Sequence, residues 1–214
     1  MIESRKTTFI ILASGEGSRL KSLTDALCIP KHLFPIGKTT ITERIFAEAS
    51  PLCEQLLVVT PPKWEDTFKK KLGSPVQVSA KKGNGFQGDF LAACEQATNE
   101  HLVLTAGDII FPDNELKKFI TSAQNNPDKI FLGLDSRRIL IPKFPTVVDF
   151  QIVGMAMPKR ILLENISTHP ESFIAMTRAF LGHLISGRMR IRMMKTLFNI
   201  NTPESYEEAK LFFK

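Results

Sequence analysis

Leu12-Ala13-Ser14-Gly15-Glu16-Gly17-Ser18-Arg19-Leu20 follows at once on the short apolar, β-branched run Thr7-Thr8-Phe9-Ile10-Ile11. A buried strand therefore ends where the glycines begin, and the chain must turn sharply there. Gly15 and Gly17 lack a Cβ, so the backbone can adopt positive φ and bring several N–H donors to one anion. Arg19 adds a permanently charged, planar fork suited to phosphate oxygens. Lys31 in Pro30-Lys31 and Lys38 in Pro35-Ile36-Gly37-Lys38 can add point charges from the same face. A P-loop would need G-x-x-x-x-G-K-S/T, and a dinucleotide fingerprint a third glycine where Leu20 stands; both fail. A G-x-G after a strand is an ordinary tight turn when it stands alone, but the ordered cations behind it make this one a candidate phosphate cradle.

Outward from the loop, apolar runs at Gln55–Thr60, Val76–Ala80, His101–Ala106, Ile130–Asp135 and residues 147–157 read as strands. Between them, Thr40-x-x-Glu43 has the form of a capping box opening a helix over 40–49. Further helices are predicted over 64–72 and from about Asp89. Lys69-Lys70-Lys71 reads as a solvated face. The alternation predicts an α/β fold: a doubly wound, mainly parallel sheet in three α/β/α layers, with ligands outside the carboxyl ends of the strands. Asp108, placed by Gly107 directly after His101–Ala106, should project at the same edge as the glycine loop. Asp113, after Pro112, suits a turn or helix N-cap instead. Residues 82–89 read as a turn-rich loop. Leu197 to Ser205 reads as a strand running into a helix, with Thr202 as N-cap and Pro203 at the first helical position. Asn199 and Asn201 then point the same way if the segment is extended. The apolar stripe over 173–185 reads as a packing face, and His169 and His183 as structural or exposed.

At 214 residues and 43% hydrophobic content, residues 1–214 fit a single domain with a real core. The net charge of +6 suits polyanionic substrates. It would suit nucleic acid equally, but no nucleic-acid motif accompanies it, and one tryptophan and one tyrosine make a poor stacking platform. Cys28, Cys53 and Cys94 are odd in number, with no C-x-x-C spacing, and read as reduced thiols of a cytoplasmic protein. The N-terminal apolar run is too short for a signal peptide or membrane span. The oligomeric state is left open.

The segment resembles the signature of the nucleotidyltransferases that join an NTP to a sugar 1-phosphate, L-A-G-G-x-G-T-R-L…P-K…P…K. Ser14 stands for the usual second-position glycine, Ser18 for threonine, and Lys21-Ser22-Leu23-Thr24 for R-P-L-T. Lys31 lies twelve positions beyond Arg19. Molybdenum-cofactor guanylyltransferases and methylerythritol cytidylyltransferases share the fold with a shorter interval, so the sugar-phosphate branch is favoured. The resemblance implies a Rossmann-like nucleotidyltransferase fold, an NTP and a phosphorylated small-molecule acceptor as partners, and Mg2+ as cofactor. It implies nucleotide binding by Leu12, Ala13, Ser14, Gly15, Glu16, Gly17 and Ser18, with Gln87, Gly88 and Asp89 around the base and ribose. Arg19, Lys31 and Asp108 become the catalytic candidates. Asp108 and Asn201 are expected to hold the metal, with Asn201 preferred to Asn199. Gly154 and Asn199 are weaker substrate candidates. The usual acidic sugar contact after Gly154 is missing. Alternative acceptors are therefore phosphocholine and the molybdenum cofactor, and the alternative class is a regulatory nucleotide-binding module without turnover.

Overall fold

Along the first strand, β1 (Thr7–Leu12), successive side chains enter opposite layers: Phe9 and Ile11 join one apolar cluster and Ile10 the other. This period of two makes the sheet the middle of a three-layer structure. The computed structural model describes residues 6–15, 17–80, 85–136, 152–168 and 186–214, with the backbone alone over 85–87. Behind β1 come β2 (Pro35–Ile36), β3 (Thr39–Thr40), β4 (Gln55–Thr60), β5 (Val76–Ala80), β6 (His101–Ala106) and β7 (Ile109–Ile110). They are followed by β8 (Ile130–Asp135), β9 (Ile152–Pro158), β10 (Met189–Met194) and β11 (Phe198–Asn199). The helices are α1 (Lys21–Leu27), α2 (Ile41–Ala49), α3 (Glu65–Leu72), α4 (Gly85–Gln96), α5 (Glu115–Gln124), α6 (Lys159–Thr168) and α7 (Pro203–Phe212).

Among the described residues, seven strands form the central sheet in the order β10-β8-β9-β6-β1-β4-β5. All neighbours are parallel except β9, which runs antiparallel to both β6 and β8. Helices α2, α3, α5 and α7 contribute to the layer holding Phe9 and Ile11, and α4 and α6 to the layer holding Ile10. The expected doubly wound, three-layer architecture is thus observed. Strand order reverses between β1 and β6, where Leu12 pairs with Ala106. That switch point opens the crevice in which such sheets bind ligands.

Local expectations held where side-chain chemistry is local. Thr40 caps α2 in a complete capping box with Glu43, and Thr202 caps α7 with Pro203 behind it. Lys69 reaches Glu65 one helical turn away at 2.5 Å, on an exposed face. Several expectations are corrected. Helix α4 starts at Gly85, so Gln87, Gly88 and Asp89 lie in its first two turns rather than in a loop. The glycines at 83, 85 and 88 suggested turns, yet the apolar spacing Phe86, Phe90, Ala93, Ala97 already runs back through them. Of the two roles read for Asp113 it takes the turn; the position before α5 belongs to Asn114, in the left-handed region, whose side chain makes no cap bond. The helix expected over 64–72 is present as α3, and a 3-10 turn at Pro62–Trp64 leads into it. Helix α1 was not foreseen; none of its residues is buried, so no apolar stripe announces it. Of the strand expected over 147–157, the described part is β9. Residues 137–151, the stripe over 173–185, His169 and His183 lie outside the described residues.

Lys38 also stands elsewhere than expected. Gly37 and Lys38 form the turn of the β2–β3 hairpin, and a Cβ at Gly37 would fall 2.7 Å from the Phe213 carbonyl oxygen. Phe213 ends α7, whose ten residues span roughly 15 Å from the Asn201 end. The hairpin therefore carries Lys38 to the far end of α7, away from the glycine loop.

Candidate active site

Asp108 and the two asparagines are placed by strand ends. The Gly107 N–H donates to the Leu12 carbonyl at 3.0 Å, which locks the exits of β6 and β1 side by side. A Cβ at Gly107 would fall 2.8 Å from Ile11 Cγ2 and 3.0 Å from His32 Cδ2, so only glycine lets the backbone pass before it delivers Asp108. β7 then pairs antiparallel with β11, and the Ile200 N–H donates to the Asp108 carbonyl at 2.8 Å. This two-strand pairing draws Asn199 and Asn201, some ninety residues away along the chain, beside Asp108.

Lys31 enters from the opposite side. Pro30 is extended and buried, and the 3-10 turn Lys31–Leu33 follows, closed by the Phe34 N–H on the Lys31 carbonyl at 3.1 Å. The side chain, 7% exposed, runs beneath the glycine loop. Gly17 has φ of +62°, and a Cβ on it would fall 3.3 Å from Lys31 Cδ; one on Gly15 would fall 3.9 Å from Cε. Gly17 thus serves two ends, a left-handed turn and close passage of backbone over the lysine stem, whereas a Cβ at Gly15 would make only ordinary contact. At the tip, Lys31 Nζ donates to Asp108 Oδ2 at 2.5 Å and to Asn201 Oδ1 at 2.7 Å. Asn201 Nδ2 donates in turn to Asn199 Oδ1, as the shared direction of the two asparagines foretold. Because an ammonium only donates, the contact fixes which end of the Asn201 amide faces the site.

Leu12 and Ala13 continue the sheet, with the Ala13 N–H on the Val59 carbonyl at 2.8 Å. Ser14 Oγ donates to Asp89 Oδ2 and so ties the loop to the start of α4. Asp89 is buried, and the burial raises its pKa while the Ser14 hydroxyl opposes the rise. Ser14, which stands where the resembled signature has glycine, thereby meets a partner that sequence reasoning had assigned only to base and ribose. Ser18 and Arg19 are exposed on the 3-10 turn Ser18–Leu20, directly past Gly17. Glu16 lies outside the described residues, and of Gln87 only the helical backbone is described. Gly154 sits in β9 opposite Thr105, at the same sheet edge, where a Cβ would meet the Phe119 ring at 3.2 Å. It faces packed core there, which is sufficient reason for a glycine. Among the described residues no group of three or more His, Cys, Asp and Glu converges to hold a metal.

His32, behind this cluster, was not singled out from the sequence. It is fully buried, its carbonyl accepts from Thr42 Oγ1 at 2.7 Å, and Nδ1 has no partner. Burial pushes its pKa from 6.5 down to about 4; Asp108 opposes the shift and Lys31 adds to it. The folded value lies below the unfolded one, so on acidification the unfolded chain takes the proton first. The resulting stabilisation is complete above about pH 6.5 and is lost as pH falls towards 4, in all about 3 kcal/mol. The wild-type Tm should therefore fall about 6–12 °C more than that of His32→Gln between pH 7 and 4. Parallel Tm-against-pH curves for the two proteins would overturn this assignment.

By fold the chain is similar to a UDP-glucose pyrophosphorylase complexed with UDP-glucose, with a TM-score of 0.74 and 15% identity over 97% of this chain and 98% of that one. It is similar also to a UTP-bound UGPase from Acinetobacter baumannii, with TM-score 0.70 and 15% identity over 97% and 93% of the two chains. An inositol-1-phosphate CTP transferase from T. maritima gives TM-score 0.69 and 19% identity over 96% of each. At such identities the likeness speaks for the fold. No curated protein sequence matches the chain significantly. The family model for the MobA-like NTP transferase domain matches residues 9–180. That match takes in the glycine loop, Lys31 and Asp108 and spans most of the sequence, and the chain accordingly belongs to the MobA-like NTP transferase family of nucleotidyltransferases.

Proposed function

We propose that this protein moves a nucleoside monophosphate from an NTP to a phosphorylated small-molecule acceptor, a sugar 1-phosphate in the first instance, with release of pyrophosphate. The observation that carries the reading is the meeting of Lys31, Asp108 and Asn201 at one point beneath the glycine loop. An acceptor phosphate oxygen, already anionic, attacks the α-phosphorus in line. The new P–O bond forms as the bond from the α-phosphorus to the bridging oxygen breaks, and pyrophosphate leaves with that electron pair. No strong base is required, so the catalytic task is alignment and neutralisation of charge.

In this reading the backbone N–H groups of the glycine loop beyond Ala13, together with Arg19, hold the β- and γ-phosphates, and Lys31 neutralises charge at the α-phosphate. Asp108 and Asn201 would hold Mg2+, which when bound supplies positive charge to the phosphate oxygens. Their oxygens fit that duty, since both lie within hydrogen-bonding reach of one cationic atom. The UDP-glucose and inositol 1-phosphate in the names of the fold neighbours support a phosphorylated sugar or polyol as acceptor. Free Cys28, Cys53 and Cys94 support a reducing, cytoplasmic setting, and burial pushes the Cys53 thiol up to about 12. Among the described residues no helix is long and apolar enough to cross a membrane.

The test is a pyrophosphate-release screen of the four NTPs with Mg2+ against a panel of sugar 1-phosphates, inositol 1-phosphate, phosphocholine and molybdopterin. Turnover with a sugar or polyol phosphate is expected. Turnover confined to phosphocholine or molybdopterin would replace the acceptor class, and tight nucleotide binding without any turnover would make the protein a binding module.

A further inference from the structure

The Lys31 ammonium lies 2.5 Å from Asp108 Oδ2 and 2.7 Å from Asn201 Oδ1, the side chains that would hold a divalent cation in the proposed reading. We propose that Lys31 is the resident counter-ion of this pair and that a divalent cation is admitted only together with the triphosphate, an order set by the amide at position 201. The proposal rests on the reading of the site as an NTP site.

The charges decide the order. One carboxylate, one amide and one ammonium sum to zero, so a free divalent ion meets an acid already neutralised at contact distance. A hard cation is normally held by one or two carboxylates plus phosphate oxygens, and among the described residues Asp108 belongs to no group of three or more acidic, histidine or cysteine side chains that could hold a metal. The triphosphate alters both sides of this balance. It brings several negative charges for the metal, and it offers Lys31 an anion to replace Asp108.

The chain is built for that exchange. The Lys31 stem is unbranched and lies against backbone at Gly15 and Gly17, so the ammonium can swing towards the loop while the 3-10 turn carrying it stays in place. Asn201 is held for its part by Asn199, and its backbone N–H donates to Ser205 Oγ at 3.2 Å. Asn199 is in this sense a positioning residue, which keeps the Asn201 oxygen directed at the cation whether that cation is an ammonium or a metal.

Mn2+ binding, followed by the loss of the free-ion paramagnetic resonance signal, tests the proposal on wild type, Lys31→Met and Asn201→Asp. Each protein is titrated alone and with each α,β-methylene NTP, and bound nucleotide is measured separately by ultrafiltration. Wild type should take up one Mn2+ per chain at least about a hundredfold more tightly with an analogue than without, after subtraction of the Mn2+ that the same analogue binds in the absence of protein. Removing the ammonium or adding a second carboxylate should each tighten Mn2+ binding in the absence of nucleotide by about tenfold or more. Two variants at different positions are used so that the misfolding of one leaves the other decisive. Equal Mn2+ affinity of wild type with and without a bound analogue would overturn the order of entry while leaving the NTP site standing. No gain in either folded variant would do the same. Failure of every analogue to bind would overturn the NTP reading and this proposal together.

Discussion

Asp108→Asn is expected to lower the rate of pyrophosphate release by about a thousandfold, equivalent to roughly 4 kcal/mol of transition-state stabilisation. The substitution keeps shape and an acceptor oxygen for Lys31, and the Asp108 carbonyl that receives the Ile200 N–H is untouched. The β7–β11 pairing should therefore survive, and Tm should move by only a few degrees. What disappears is the one carboxylate at the point where Lys31 and Asn201 meet, and with it the charge that would hold a divalent ion against the phosphates. Steady-state kinetics beside a melting curve checks this. A folded variant with near-normal turnover would remove Asp108 from the mechanism.

Lys31→Met should lower kcat by about a hundredfold to a thousandfold while raising the NTP KM by less than about tenfold. Methionine retains most of the stem that passes under Gly15 and Gly17, so the glycine loop keeps its support. In the proposed reading its N–H donors and Arg19 would still bind the outer phosphates, so ground-state binding should be largely preserved. On the same reading the ammonium would be lost where negative charge develops as the bond to pyrophosphate breaks, which is why the deficit should fall on kcat. Arginine at this position should not restore the rate, because its broad planar fork does not match a space 7% exposed and closed by backbone. A deficit confined to KM would instead make Lys31 a plain binding cation.

The elements that the sequence announced correctly are those whose physics is local. Strands β4, β5, β6 and β8 fall on the apolar runs as read, and the caps of α2 and α7 follow from Thr40 with Glu43 and from Thr202 with Pro203. Helix α1 and the early start of α4 escaped notice because their signals are weak: α1 buries nothing, and α4 opens through glycines. The reversal of β9 is likewise silent in the sequence, since a strand buried on both faces has the same composition in either direction.

In the candidate site the division is sharper. Residue type and order were enough to pick out the glycine loop, Lys31 and Asp108, because a turn that must admit an anion restricts its residues to a few kinds. They could not show that Lys38 is carried off by a hairpin packed on Phe213, or that Ser14 reaches Asp89, or that His32 lies buried and neutral behind the cluster. Asn201, beyond the segment matched by the family model, came within reach of Lys31 only through the backbone pairing of β7 with β11. Sequence by itself thus determined which chemical groups the protein possesses and the periodicity that folds them into a layered sheet. Which of those groups share a point in space was decided by strand order and hairpin packing, which depend on contacts between residues far apart in the chain.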